Sequence, residues 1–190
     1  TRCSRDWSSD VCSSDLPHAN SIHVKSGDPF EDSFKFVLPG YSVRPLEMSG
    51  AISSVQLEKM PAMIEMRRKN AMLMRQAFKD ISDVQLQKEV GNSSWFGFSM
   101  VLKGRLEGRR KEVIKVLGYN GVENRPIVAG NFTKNPVISY CPHDIRGSLS
   151  AAEYIDKNGF FIGNDSRDLS NEIVEVARIV TDLSKHEYNI

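Results

Sequence analysis

Two arginines stand directly before prolines, in Val43-Arg44-Pro45 and Asn124-Arg125-Pro126. A following proline disfavours the α region, so both arginines are expected on extended backbone. A planar guanidinium held that way suits bidentate capture of a carboxylate or phosphate. The structural alternative is a helix cap or a surface ion pair. It is about as strong for Arg44 and stronger for Arg125.

Other chemistry is sparse. The chain has no G-x-G-x-x-G, no phosphate-binding G-x-x-x-x-G-K-[ST] and no G-x-S-x-G. Its four histidines, His18, His23, His143 and His186, are scattered. Cys141-Pro142-His143 offers too few ligands for zinc, so no metal site is expected. Ser49, Ser53 and Ser54 have no His or Lys at a matching offset and read as packing residues. No lysine stands alone in an apolar stretch that would depress its pKa. The residues therefore predict no catalytic group acting within this chain alone. What remains looks like one part of a site.

The elements that would position these arginines belong to one modest domain. The chain has 190 residues, 40% hydrophobic and 26% charged, with net charge +1. That balance argues against nucleic-acid and membrane-surface partners. No apolar run approaches the roughly 20 residues needed to span a bilayer.

Pro39-Gly40 reads as a turn, and Pro45 suits the first position of a helix. Met48, Ile52 and Val55 share a face of that helix, and Gly50 with its small neighbours permits close approach of another backbone. Pro61 is expected to open a second helix to about Lys79, with Ile64, Ala71, Met74 and Phe78 inward. Arg67, Arg68 and Lys69 then form a solvated basic face, with anion attraction as the alternative. Trp95–Leu102 alternates as a strand, with Phe96, Phe98, Met100 and Leu102 on one side. Gly104–Gly108 is a turn. Arg109–Tyr119 is a helix with Val113, Ile114 and Leu117 inward, stopped at Gly121. Val122–Ile127 is an edge strand limited by Pro126. The stretch 128–147 is irregular. Leu149–Lys157 is a helix, Gly159–Ile162 a strand, and Asp168–Lys185 an amphipathic helix through Ile173, Val176, Ala177, Val180 and Leu183. The order predicts an α/β chain of α+β type, with a small, mainly antiparallel sheet covered by helices on one face.

Four segments carry a resemblance: GYSVRPLEMSGAISSVQLEKMPAMIEMRRKNA, NSSWFGFSMVLKG, VENRPIVAGNFTKNPVI and NGFFIGND. Together they resemble the C-terminal part of the DegT/DnrJ/EryC/StrS-type aminotransferases, from about Phe30 onward, and within that family its nucleotide-sugar 3-dehydratase branch. The resemblance implies the small domain of a fold-type-I enzyme that uses pyridoxal 5'-phosphate and works as a homodimer with shared sites. It implies a nucleotide-linked keto-sugar and glutamate as reactants. The reaction would be 3-deoxygenation of a 4-keto-6-deoxyhexose nucleotide in lipopolysaccharide O-antigen sugar synthesis. Amino transfer by the same family is the alternative, and a non-catalytic interaction module is a third reading. In such enzymes a Gly-Tyr-Asn-x-Arg loop crosses into the neighbouring subunit's site. Here Ser42 occupies the Asn position toward the cofactor phosphate, with a shorter reach, and Arg44 matches the substrate-facing Arg. Arg125 and Asn131 would approach the nucleotide-sugar. The large cofactor domain, with its Schiff-base-position Lys or His, has no counterpart in the sequence.

The segment TRCSRDWSSDVCSSDL at 1–16 has no structural periodicity, and its back-translation resembles the end of a short-read sequencing adapter. The expected organisation is an artefact at 1–16, a remnant of the large domain with the inter-domain loop at 17–44, and an α+β domain at 45–190. Setting 1–16 aside leaves Cys141 as the one cysteine, which suits a reducing cytoplasm. Genomic sequencing of the source gene is expected to show different codons upstream of Pro17. The same sixteen codons in genomic DNA would overturn the artefact reading.

Overall fold

The computed structural model describes residues 47–185 together with Asp28 and Phe30. The expectations for 1–16, the turn at Pro39-Gly40, Ser42, Arg44 and Pro45 lie outside the described residues. The chain divides into two compact units. The sheet unit comprises Glu47–Asn124 and Lys157–Ile190, and the loop unit comprises Thr1–Leu46 and Arg125–Asp156.

The sheet unit opens with α1, Glu47–Ala77. The sequence suggested two helices meeting at Pro61, but the structure carries one helix through it. Proline removes one N–H and crowds the carbonyl four residues earlier, here that of Leu57. Leu57 is exposed, so water can serve that carbonyl and the helix need not end. Only the second half of α1 is packed: Ala71 and Met74 are buried and Ile64 is half-buried, and Phe78, just past the end of the helix, is buried too. Met48, Ile52 and Val55, expected to face inward, are exposed, and a Cβ on Gly50 would meet nothing.

Strands β1 (Val84–Leu86), β2 (Gly97–Leu102), β3 (Asn124–Arg125) and β4 (Gly159–Gly163) form one sheet in the order β1-β2-β4-β3. The β1–β2 and β2–β4 pairings are antiparallel, with Leu86 opposite Met100 and Met100 opposite Phe160. This alternation places Phe98, Met100, Leu102, Phe160 and Ile162 on one buried face. Strand β2 starts two residues later than its pattern suggests. Trp95 is buried in left-handed backbone (φ 52°), which breaks the alternation and turns Phe96 out to solvent. Gly97 has no tolerance for a side chain, because a Cβ there would collide with the Phe161 ring. The expected edge strand is β3, shortened by Pro126.

Helices α2 (Arg110–Tyr119), α3 (Ser150–Asn158) and α4 (Ser170–Ser184) follow the expected order. Along α2, Val113, Val116 and Leu117 are buried. Ile114, expected inward, is only half-buried. It sits one position off the stripe that Val113, Val116 and Leu117 define. Gly121 (φ 76°) ends α2, and the Val122 amide donates back to the Leu117 carbonyl at 2.9 Å. Along α4 every expected apolar residue is buried, with Ile179 in addition.

Two polar nodes tie these elements together. Asn70 (0% exposed) sits on α1, and Asn164 (6%) follows β4. The Asn70 amide donates to Asn164 Oδ1 (3.1 Å) and to the carbonyls of Asp165 (3.2 Å) and Arg167 (2.8 Å), while its oxygen accepts from the Leu169 amide (3.3 Å). Asn164 donates to the carbonyls of Arg67 (3.0 Å) and Trp95 (2.8 Å). The second node is Asp83, before β1. It accepts from the Arg105 amide (2.9 Å) and guanidinium (3.0 Å) and from the Ser184 hydroxyl at the end of α4. Gly104 (φ 57°) must lack a side chain, because a Cβ would strike this carboxylate.

The basic run on α1 is not a bare solvated face. Arg68 donates to the Ser93 carbonyl (3.0 Å), Lys69 pairs with Asp168 (3.1 Å), and Arg67 lies over the Phe96 ring at 5.9 Å.

Replacing Asn70 by Leu strands the amide partners gathered around it. It is expected to destabilise the chain by about 3 kcal/mol or more, since each orphaned buried polar group costs roughly 1–3 kcal/mol. A thermal melt unchanged from wild type would show that the amide node is dispensable. The hydrogen bonds from Ser184 and from the Arg105 amide hold the Asp83 carboxyl at about 2, against an ordinary value of 3.8. A carboxylate with a depressed folded-state pKa stabilises above its unfolded value and loses that contribution as the pH falls. Urea unfolding is therefore expected to lose about 2 kcal/mol from this group between pH 4 and pH 2. The Asp83→Asn variant is expected to lack that component of the slope, and an identical slope in both proteins would exclude it.

Candidate functional site

The two described residues singled out from sequence, Arg125 and Asn131, share one loop of the loop unit. Arg125 ends β3, half-buried, with Pro126 terminating the strand behind it. The chain then makes a tight turn, closed by the Gly130 amide on the Ile127 carbonyl at 2.9 Å. Two residues of this turn are left-handed: Gly130 (φ 57°) and Val128 (φ 49°). For Gly130 the conformation is ordinary. For a β-branched residue it costs roughly 1–2 kcal/mol and marks strained backbone. Val128 is also 71% exposed, so no packing of its own side chain offsets that strain.

Asn131 is buried, and its carbonyl oxygen is committed to its own loop. It accepts from the Thr133 amide (3.2 Å) and the Thr133 hydroxyl (2.7 Å), capping the 3₁₀ turn Phe132–Lys134. Its contribution through that oxygen is to shape the loop. A second 3₁₀ turn, Pro136–Tyr140, follows with its proline at the first position. His143 Nδ1 lies 2.8 Å from the Cys141 carbonyl, so that ring nitrogen is occupied locally. Among the described residues, no group of three or more His, Cys, Asp or Glu converges as metal ligands.

Sequence reasoning missed Asp156. Its carboxylate accepts from the Asn131 amide (3.1 Å) and pairs with Lys134 (2.7 Å). A Cβ on Gly130 would collide with it. The Ala-Gly-Asn stretch at 129–131 is a turn signal, but nothing in Tyr-Ile-Asp-Lys points from α3 to that turn.

A pyridoxal phosphate site needs an amine or base at the cofactor's reactive carbon, donors for its phosphate and an Asp or Arg at the ring nitrogen. The buried ionisable side chains among the described residues are Asp83 and Arg110. Asp83 is consumed by Ser184 and Arg105, and Arg110 donates to the Gly159 carbonyl at 3.2 Å. The described residues by themselves do not fit that cofactor, and no chemical step through it is assigned to them.

Comparison with known proteins supplies the context. The chain is 52% identical over 167 residues to a GDP-4-keto-6-deoxy-D-mannose 3-dehydratase of Yersinia pseudotuberculosis, covering 87% of this chain and 42% of that protein. It resembles the solved structure of an Escherichia coli GDP-4-keto-6-deoxy-D-mannose 3-dehydratase with bound hydrated PLP, with TM-score 0.69 and 45% identity over 92% of this chain and 45% of the other. A crystal structure of GDP-4-keto-6-deoxymannose 3-dehydratase with a trapped PLP–glutamate geminal diamine matches at TM-score 0.69 and 49% identity, covering 84% of this chain and 42% of that one. The chain thus spans less than half the length of each of these relatives. The DegT/DnrJ/EryC1/StrS aminotransferase family profile matches residues 18–181, and the chain belongs to that family.

Proposed function

We propose that this chain is the C-terminal portion of a pyridoxal-phosphate-dependent nucleotide-sugar 3-dehydratase. The parent enzyme would remove the C3 hydroxyl of a GDP-linked 4-keto-6-deoxyhexose, with glutamate as amino donor, on a route to a lipopolysaccharide sugar. The observation that carries this reading is the 52% identity to such a dehydratase over 87% of the chain. The structural likeness to a relative trapped with PLP and glutamate supports it.

In this reading the cofactor is held mainly by the part of the parent beyond the described residues. Ser42 contributes a hydroxyl toward its phosphate, and Arg44 reaches the substrate of the neighbouring subunit in a homodimer. Arg125, on extended backbone, supplies a guanidinium for an anionic group of the nucleotide-sugar. Asn131 shapes the same loop. The free, exposed Cys141 suits a reducing cytoplasm. Amino transfer remains the competing reaction. It is separated from dehydration by a Lys or His at the cofactor's reactive carbon, a side chain proposed to lie upstream in the parent.

The full-length enzyme from the source gene, supplied with PLP, glutamate and a GDP-linked 4-keto-6-deoxymannose, is expected to release the 3-deoxy sugar. An aminated sugar as the main product would establish the transferase instead. Arg125→Ala and Arg44→Ala are each expected to raise the KM for the nucleotide-sugar roughly 10- to 100-fold, since a charge-assisted pair contributes about 1.5–3 kcal/mol. If either variant mainly lowered the melting temperature, that arginine would be structural. The 190-residue chain alone is expected to retain no stoichiometric PLP after gel filtration, read by absorbance near the visible edge. Stable one-to-one binding would contradict the placement of the cofactor site.

A further inference from the structure

The sheet unit and the loop unit each contain the same small construction. In each, a left-handed glycine lies against an aspartate carboxylate, the next residue's amide donates to one carboxylate oxygen, and a cation pairs with the other. In the sheet unit the set is Gly104, the Arg105 amide (2.9 Å), Asp83 and the Arg105 guanidinium (2.8 Å). In the loop unit it is Gly130, the Asn131 amide (3.1 Å), Asp156 and Lys134 (2.7 Å).

The two differ in setting. The Asp83 side chain is 7% exposed and takes a further bond from Ser184, as expected of a core fastening. The Asp156 side chain is 24% exposed and its Lys134 partner 56%. Exposed pairs of this kind add little to global stability. What Asp156 does hold is local: the Asn131 amide, the Gly130 conformation and the turn that carries strained Val128. Strained backbone of this type persists only where its surroundings over-determine it, and it clusters at functional sites.

We propose that Asp156 is a positioning residue for substrate binding: it pre-sets the Arg125–Asn131 loop in its binding geometry through Gly130 and the Asn131 amide. This inference rests on the proposed role of that loop in holding the nucleotide-sugar. A loop that must be ordered anew at each encounter lowers apparent affinity by the fraction of time it is competent. Loss of Asp156 therefore acts on binding more than on turnover.

The test uses the full-length enzyme with GDP as binding probe and the GDP-linked keto-sugar as substrate. Asp156→Ala is expected to raise the Kd for GDP and the KM for substrate about tenfold, with kcat changed less than about twofold, by the population argument above. Asp156→Asn keeps an acceptor for the Asn131 amide and is expected to recover most of that loss. Gly130→Ala, which attacks the same contact from the other side, is expected to reproduce the Asp156→Ala split. Amide exchange at Asn131 is expected to quicken at least tenfold in Asp156→Ala, with the melting temperature held within a few degrees. If Asp156→Ala destabilises the whole protein, Gly130→Ala and Asp156→Asn decide the question. Wild-type KM in Gly130→Ala, or no difference between Asp156→Asn and Asp156→Ala, would overturn the inference. Arg125→Ala is measured alongside. If it raises the Kd while the Asp156 and Gly130 variants do not, the loop binds substrate but Asp156 does not position it. If Arg125→Ala leaves GDP affinity unchanged, the reading of the loop falls, and the positioning role falls with it.

Discussion

The sheet unit depends on a buried pair of amides. Asn70 and Asn164 occupy the point where α1, the entry to β2 and the connection from β4 to α4 come together. Apolar packing through Met74 and Phe78 holds α1 near the core but does not specify its register. An amide does, because it presents donors and an acceptor in fixed directions and is costly to bury unsatisfied. Asn164 also clamps the carbonyl of left-handed Trp95 at 2.8 Å. That contact accompanies the break in alternation after which β2 enters the sheet at Gly97. Gly97 in turn lets β2 lie close against Phe161 on β4. The amide pair thus bears on both the register of α1 and the entry to β2.

In both units the chain fixes irregular backbone with a side-chain acceptor at a left-handed glycine. Asp83 does this at Gly104, Asp156 at Gly130, and Asn158 at Gly108, whose amide donates to Asn158 Oδ1 at 2.8 Å. Turns have few apolar atoms to bury, so their conformation must come from directed bonds. Burial then sets how firmly each is held. Asp83 is enclosed and linked to the end of α4, whereas Asp156 faces partly into water beside Lys134. The same chemistry thus serves a permanent fastening in one unit and a lighter hold on the Arg125–Asn131 loop in the other.

Much of the architecture was legible in the residues. The periods of α2 and α4, the alternation of Phe98, Met100 and Leu102 along β2, the glycine stop after α2 and the proline limit on β3 all follow from local pattern, because burial on one face imposes its period on the chain. The continuity of α1 was not legible. Pro61 is compatible with a helix start and with an exposed interior position, and the difference lies in whether solvent can reach the Leu57 carbonyl. Ile114 was misplaced by one position because only the packed partner defines the centre of an apolar stripe. Of the candidate site, Arg125 and Asn131 could be singled out from Arg-Pro and from family motifs. Asp156 could not, since its partners lie more than twenty residues away and no local pattern announces them.

What the sequence determined by itself was most of the helices and strands and the family: period, caps, prolines and four motifs are local properties that survive without coordinates. The tertiary structure decided what those motifs are for. Arg-Arg-Lys-Asn on α1 and Phe-Phe-Ile-Gly-Asn on β4 read as separate signatures until Asn70 and Asn164 are found in contact at 3.1 Å. Asn131, singled out by a motif alone, holds its side-chain oxygen on Thr133. The physical reason is common to both. A polar side chain has several possible partners, and which it takes depends on what folding brings within hydrogen-bond reach once water is excluded.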